Sequence, residues 1–476
     1  MKTNFLIPLA ALLLLTGCSD DGPPVSESDR AAGAEAHPQL LAEFGGAYQG
    51  DEAKYLASVG KPIAAAAGLE GQCRFTLVNS DVVNAFAVPG CYIYVTRGLM
   101  SVVNSEAELG AVLAHEVGHI AGRHAQRQQR RSLWRGLGIA AVGLLTGSEG
   151  LTRIAGVAAG LFTLRYSRNQ EFEADDLGLE YLTAAGHDPH AAADMLATLG
   201  RNEEFLSKTR GKDEARSIPA WARTHPLSAD RAARAEQAAA NTGIRDGARG
   251  EHEARYVAAV DGLLYGDDPE QGFVIGRAFV HPVMRIAFEA PPGFTLTNSP
   301  QAILLEGPDG MRGEFAAGRM PPGGLEAYTE LLLQRLLRGA PVEVIDVRPL
   351  TVNGLRALVT TAQVRTRAGS GELTIAAYDA GDTAYHFAVA SSAGAPADLD
   401  MLFRSFRLLS ESEARSLRPR VIDGVRASTG DTVQSLSSKM AGDNKLAHFL
   451  VLNGRSPDQP IRPGEPLKLV VYGERR

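Results

Sequence analysis

Three cysteines in 476 residues are too few for a disulfide-built scaffold or a cysteine-built zinc finger. Aromatic residues are sparse at 6%, and basic residues are outnumbered 48 to 55, for a net charge of −7. Nucleic-acid binders carry a clustered cationic excess, so nucleic acid is excluded as a partner. No apolar run reaches the roughly 20 residues that span a bilayer. What is present is an ordinary globular balance, 45% apolar and 22% charged, which excludes wholesale disorder and fibrous architecture. The length implies two to four domains.

The first residues decide the compartment. Lys2 supplies a short positive start, and Phe5 to Leu15 is an apolar run of secretory-signal length. It ends in Leu15-Thr16-Gly17-Cys18, which looks like a bacterial lipobox with the Cys18 thiol as the atom that takes the lipid. The alternative is an ordinary signal peptide with a chance cysteine. Residues 1–17 therefore read as a lipoprotein signal peptide and 18–44 as a flexible tether rich in Ser, Asp, Pro and Ala. The expected location is the bacterial envelope, facing the periplasm and anchored to a membrane by lipid. Ser19 is not the Asp that retains some lipoproteins at the inner membrane, which favours the outer one. Cys73 and Cys91 are then the two thiols left in an oxidising compartment, each opening one of two adjacent strand-like runs. They either bridge a hairpin or stay as buried free thiols.

From Leu40 to about Gly68 the pattern is helical, and Arg74–Asn79, Val82–Val88 and Cys91–Thr96 read as strands. Glu106 to about Arg131 reads as a long amphipathic helix. Leu133 to Leu164 is apolar but interrupted by Gly147-Ser148-Glu149-Gly150 and Arg153, which fits a helical hairpin on the protein or a shallow membrane contact. A polar stretch from Asn241 to Arg255 marks a boundary. Residues 256–410 then alternate like strands around one helix, Leu325–Leu337, and form an α+β module with no catalytic constellation. Residues 418–476 resemble a LysM-like βααβ module in Gly430-Asp431-Thr432, Asn453 and Pro463-Gly464-Glu465. LysM modules bind peptidoglycan, so that resemblance implies either glycan binding or a structural adaptor.

The chemistry lies in His115-Glu116-Val117-Gly118-His119. Residues four apart share a helix face, so both imidazoles reach one metal ion while Glu116 stands beside it as a general base. A catalytic zinc needs a third protein ligand. In Glu171-Phe172-Glu173-Ala174-Asp175-Asp176, Glu171 and Asp175 share a face and Glu173 points elsewhere. This makes Glu171 the natural ligand and Asp175 the acceptor that orients an imidazole, the alternative being a solvated acidic helix start. His124 lies off the ligand face and is expected to pack or bond locally.

These residues, with Asn84-Ala85-Phe86-Ala87, Ser167-Arg168 and Thr224-His225-Pro226 plus Arg231, resemble the zinc metallopeptidases of the HtpX heat-shock and CAAX prenyl endopeptidase family. The resemblance covers roughly residues 45–240, within a domain of residues 45–245, and falls in its periplasmic BepA-like and LoiP-like branch. It implies a mainly helical gluzincin domain with a small sheet, one Zn2+ ion, and proteolysis of misfolded or unassembled envelope proteins. It makes His225 a zinc-proximal residue that either stabilises the oxyanion or fills the open metal position in a latent state. It puts Asn84 and Ala85 on an edge strand that takes substrate or merely packs, and Arg168 in the site or in solvent. The rival from another class is a non-proteolytic chaperone or assembly adaptor that keeps the zinc fold. The repeats of 34 residues that accompany this branch elsewhere have no counterpart in the periodicity.

Overall fold

The computed structural model describes residues 25–127, 166–209, 221, 225, 229–337, 342–366, 369–391 and 398–473. Cys18 and the other lipobox residues, and the apolar stretch from Leu133 to Leu164, lie outside the described residues. No described helix is long and apolar enough to cross a membrane.

Where composition predicts a tether up to residue 44, the chain forms helix α1 (Glu27–Glu43). Ser26 and Asp29 cap its start reciprocally, and Leu40 and Phe44 pack on Val78, Phe86 and Tyr94. Good capping and two apolar anchors override a composition that is otherwise loop-like. Helix α2 (Asp51–Ala66) buries Leu56, Val59 and Ile63 along one stripe. Strands β1 (Arg74–Val78), β2 (Ala85–Val88) and β3 (Tyr92–Thr96) make a sheet of order β1-β3-β2. Because β2 takes the antiparallel place beside β3, β1 runs parallel to β3. Cys73 and Cys91 thus precede two parallel neighbours, and a disulfide joins them there rather than across a hairpin, with Cα atoms 4.6 Å apart.

Helices α3 (Arg97–Val102), α4 (Glu106–Ala121), α5 (Arg168–Ala184), α6 (Ala191–Thr209), α7 (Ala229–Asn241) and α8 (Glu253–Ala259) complete the first part of the body. Every residue of α4 from Glu106 to Ile120 is buried, which makes it the central helix. The helical period continues to Arg131, yet α4 stops at Ala121. There Gly122 N–H returns to the Gly118 carbonyl and Arg123 turns left-handed at φ +51°.

After β4 (Leu264–Tyr265) comes the middle module. It contains β5 (Phe273–Ile275), β6 (Ala278–His281), β7 (Ile286–Glu289), β8 (Thr295–Asn298), β9 (Ile303–Glu306), β10 (Arg312–Arg319), α9 (Gly324–Leu337), β11 (Val342–Val352), β12 (Leu355–Thr366), β13 (Gly369–Ala380), β14 (Thr383–Ser391), α10 (Asp398–Ser405), β15 (Arg407–Leu408) and α11 (Glu411–Ser416). Strands β8 to β14 form a seven-stranded antiparallel sheet of order β11-β12-β13-β14-β10-β9-β8. Leu325, Leu332 and Leu336 of α9 cover one face, and an aromatic cluster of Phe288, Phe315, Phe387 and Phe406 covers the other.

The chain ends in β16 (Arg420–Arg426), α12 (Val433–Ser437), α13 (Lys445–Leu452) and β17 (Pro466–Tyr472). Strand β16 pairs with β17 on one edge and, through Val421 and Arg420, with Leu264 and Tyr265 of β4 on the other. Ile422, Leu436, Phe449 and Leu469 join Leu56, Leu109, Leu113 and Tyr256 in one core. The terminal unit is therefore part of the peptidase-like body, and the middle module is inserted between β4 and β16. The boundary at residue 256 falls inside that body, since Tyr256, Val260 and Leu263 belong to the first core.

Candidate metal centre

Helices α4 and α5 approach at backbone distance. A Cβ on Gly118 would lie 2.7 Å from the Ala174 carbonyl oxygen, and one on Gly178 would lie 3.1 Å from the backbone of Ala114. Small residues at the crossing bring the inward face of α4 against that of α5. His115 and His119 then meet Glu171, and His225 closes the group. His115 Nε2 lies 3.1 Å from His119 Nε2 and 3.2 Å from His225 Nδ1, which is itself 3.2 Å from Glu171 Oε1. Glu171 stands 3.6 Å from His115 Nε2 and 3.7 Å from His119 Nε2.

These four donors all lie within 4.8 Å of one another and all are buried. Imidazole lone pairs converging on one point are mutually unfavourable unless a cation sits among them. Glu116 stands beside them as a buried carboxylate, 1% exposed, with His225 Nε2 3.4 Å from its Oε1. Imidazoles plus one carboxylate are a donor set that zinc takes, so the residues fit the ion.

A ring of supporting contacts orients the donors. His115 Nδ1 is 3.0 Å from Asp175 Oδ1, and Arg231 grips Asp175 with Nε and Nη2 at 2.8 and 2.7 Å. The same guanidinium reaches Glu171 Oε2 at 2.9 Å. His119 is stacked on Tyr166 with centroids 4.0 Å apart, and His225 lies 4.5 Å from the Trp221 ring. Burial pushes the Asp175 carboxyl up, but its bonds from Arg231 and His115 outweigh that and hold it well below the usual range. Glu171 is lowered likewise, its burial overcome by His225, His115 and Arg231. Burial, reinforced by the neighbouring histidines, drives His119 well below its ordinary value and keeps it a neutral donor. Burial raises Glu116 to about 7, a value suited to proton exchange near neutrality.

Of the other residues singled out in the sequence, Arg168 lies in solvent, paired with Asp230 at 2.7 Å. Asn84 is buried and its N–H donates to Thr96 Oγ1 at 3.1 Å. Glu173 faces away from Glu171 and Asp175, toward His124 and Arg127. Tyr166 and Trp221 carry no local signal, since nothing in their spacing to α4 marks them, and Arg231 entered through the resemblance without a role.

Two imidazoles one helical turn apart, a glutamate between them and a carboxylate from a second helix define a metallopeptidase-type centre. Comparison with known proteins gives a family resemblance. Residues 51–239 match the model of Peptidase family M48. It is 30% identical over 238 residues to the beta-barrel assembly-enhancing protease of Yersinia pestis, covering 48% of this chain and 47% of that one. It is 36% identical over 143 residues to the mitochondrial metalloendopeptidase OMA1 of Arabidopsis thaliana, covering 30% and 29%. Against the metalloprotease LoiP of Escherichia coli it is 30% identical over 153 residues, covering 32% and 56%. The chain spans about half, or less, of the length of these relatives.

Proposed function

We propose that this chain is a zinc metalloendopeptidase of the bacterial envelope, with His115, His119 and Glu171 holding one Zn2+ ion and Glu116 as general base. The observation that carries the reading is the convergence of those donors beside a buried carboxylate. A zinc ion held there would act as a Lewis acid toward the peptide carbonyl and acidify a water. Glu116, raised to about 7 by burial, takes a proton from the attacking water and returns it to the leaving amine. Asp175 and Arg231 hold His115 and Glu171 in place through these steps.

His225 stands as a fourth donor, with Nδ1 at Glu171 and Nε2 3.4 Å from Glu116. A catalytic zinc keeps one position open, so we assign this arrangement to a latent state, with His225 against the general base. His225→Ala is expected to raise cleavage several-fold; a loss of cleavage would instead make His225 the oxyanion donor.

Substrates in this reading are misfolded or unassembled envelope proteins, supported by the name of the Yersinia pestis relative. Membrane attachment through lipid on Cys18, a periplasm-facing site at the outer membrane, and peptidoglycan as a partner of residues 418–476 belong to the same reading. The last is supported by the βααβ order of that unit. The test is cleavage of an unfolded outer-membrane protein with added zinc, run beside Glu116→Gln checked to retain the ion. Cleavage lost in the variant supports the enzyme. Equal envelope function with and without Glu116 overturns it in favour of the adaptor.

A further inference from the structure

The way α4 ends is unusual, and it points at one side chain. Arg123 holds a left-handed backbone, at φ +51°, which is disfavoured for a non-glycine residue. One residue earlier, a Cβ on Gly122 would come within 2.6 Å of His124 Nε2 and 3.0 Å of its Cδ2. The turn at Gly122 and Arg123 thus sets the His124 ring against the helix end, where it is 0% exposed. Gln170 Nε2 donates to the His124 carbonyl at 3.1 Å and pins the turn from α5.

In that place His124 Nδ1 stands 2.7 Å from Nδ1 of His119. Two ring nitrogens so close share one proton. If His119 offers its Nε2 lone pair to a cation, its proton must sit on Nδ1, and His124 Nδ1 must accept it. The remaining His124 proton then lies on Nε2, facing Glu173 Oε2 at 3.4 Å, and Arg127 holds that carboxylate at 2.8 Å. The line from His119 through His124 and Glu173 to Arg127 mirrors the one from His115 through Asp175 to Arg231. An imidazole takes the place of the first carboxylate.

We infer that His124 is a positioning residue for the metal centre. Its ring, folded back by Gly122 and Arg123 and backed by Glu173, fixes the tautomer and orientation in which His119 binds the ion. The inference rests on the metal-centre reading given above.

The test is zinc affinity of the full-length chain, measured by competition with a chelator, for wild type, His124→Ala, His124→Gln and His124→Asn. The Asn side chain places an oxygen where His124 Nδ1 stands, whereas Gln carries its polar atoms further out. Ala and Gln are expected to lose about 10- to 100-fold in affinity, and Asn to remain within about threefold of wild type. Thermal midpoints of the metal-free proteins, compared in parallel, separate a loss of fold from a loss of ligand orientation. Wild-type affinity in the Ala variant overturns the inference, as does an Asn variant as weak as Ala. If Ala does not fold, the contrast between Asn and Gln decides in the same way. A wild-type chain that binds no zinc overturns the metal-centre reading itself, and this inference with it.

Discussion

The middle module and the C-terminal unit follow each other in the chain, yet they relate to the catalytic body in opposite ways. The middle module encloses cores of its own, an aromatic cluster on one face of its sheet and leucines of α9 on the other. Among the described residues, the first core takes no side chain from 266 to 420. A polar seam meets the module, with Asn79 Nδ2 donating to Asp268 Oδ2 at 2.6 Å and Arg97 Nε to Asn79 Oδ1 at 2.8 Å. The C-terminal unit has no core apart from the body's. It extends the body's strand β4, stacks His448 on Phe205, and inserts Lys468, 1% exposed, against the last carbonyls of α3. That ammonium donates to Ser101, Val102 and Val103 at 2.9, 3.2 and 2.6 Å. Proximity in sequence does not decide membership of a domain; burial does.

The sharpest way to break this contrast is to remove each part in turn. Residues Tyr265 and Arg420 face each other across β4 and β16, so a short Asn-Gly turn can replace everything between them. The excised chain is expected to unfold cooperatively by circular dichroism and to keep its zinc site. Deleting residues 420–476 instead should abolish folding. It strips Ile422, Leu436, Phe449, Leu452, Leu467 and Leu469 from the shared core. At about 1.5–3 kcal/mol for each buried apolar side chain, that loss matches or exceeds the roughly 5–15 kcal/mol that holds a domain folded. The opposite pair of outcomes would reverse the assignment.

A smaller effect sharpens the same point. Lys468→Met keeps the length of the side chain but leaves three carbonyls at the end of α3, those of Ser101, Val102 and Val103, without this donor. The expected cost is about 3 kcal/mol in urea unfolding of the body. A change below about 0.5 kcal/mol would make the clasp incidental.

The smallest effect is one of pH. Burial, with Arg420 adding to it, lowers His448 to about 4, while the unfolded chain titrates near 6.5. Between those values the unfolded chain binds the proton and the folded one does not. The contribution is therefore present above pH 6.5 and is lost as pH falls toward 4, at about 1.4 kcal/mol per pH unit. His448→Gln should flatten that part of the curve, and equal slopes in variant and wild type would count against it.

Much of the site was legible in the sequence because it is written in helical period. His115 and His119 share a face because they are four apart, and Glu171 and Asp175 do so for the same reason. The resemblance brought in His225, although which of its two roles it plays is decided by neighbours from other segments. Period places Glu173 away from Glu171 and Asp175, but its partner His124 is set only by the turn that ends α4. The same limit applies to the fold. Alternation located β12, β13 and β14 in the middle module, while Gly- and Arg-rich β10 lacked a clear pattern.

By itself, then, the sequence determined that the chain has a two-histidine helix with a glutamate between, an acidic partner helix, and three cysteines of which two suit a bridge. Each is a matter of composition or of spacing within one element, where backbone geometry fixes which side chains face together. Tertiary structure alone decided that β1 lies parallel to β3, that Arg231 links Asp175 to Glu171, that His124 folds onto His119, and that the last strand belongs to the first core. These depend on close packing between distant segments, as when Lys468 meets Ser101 across 367 residues, and no local period records such a meeting.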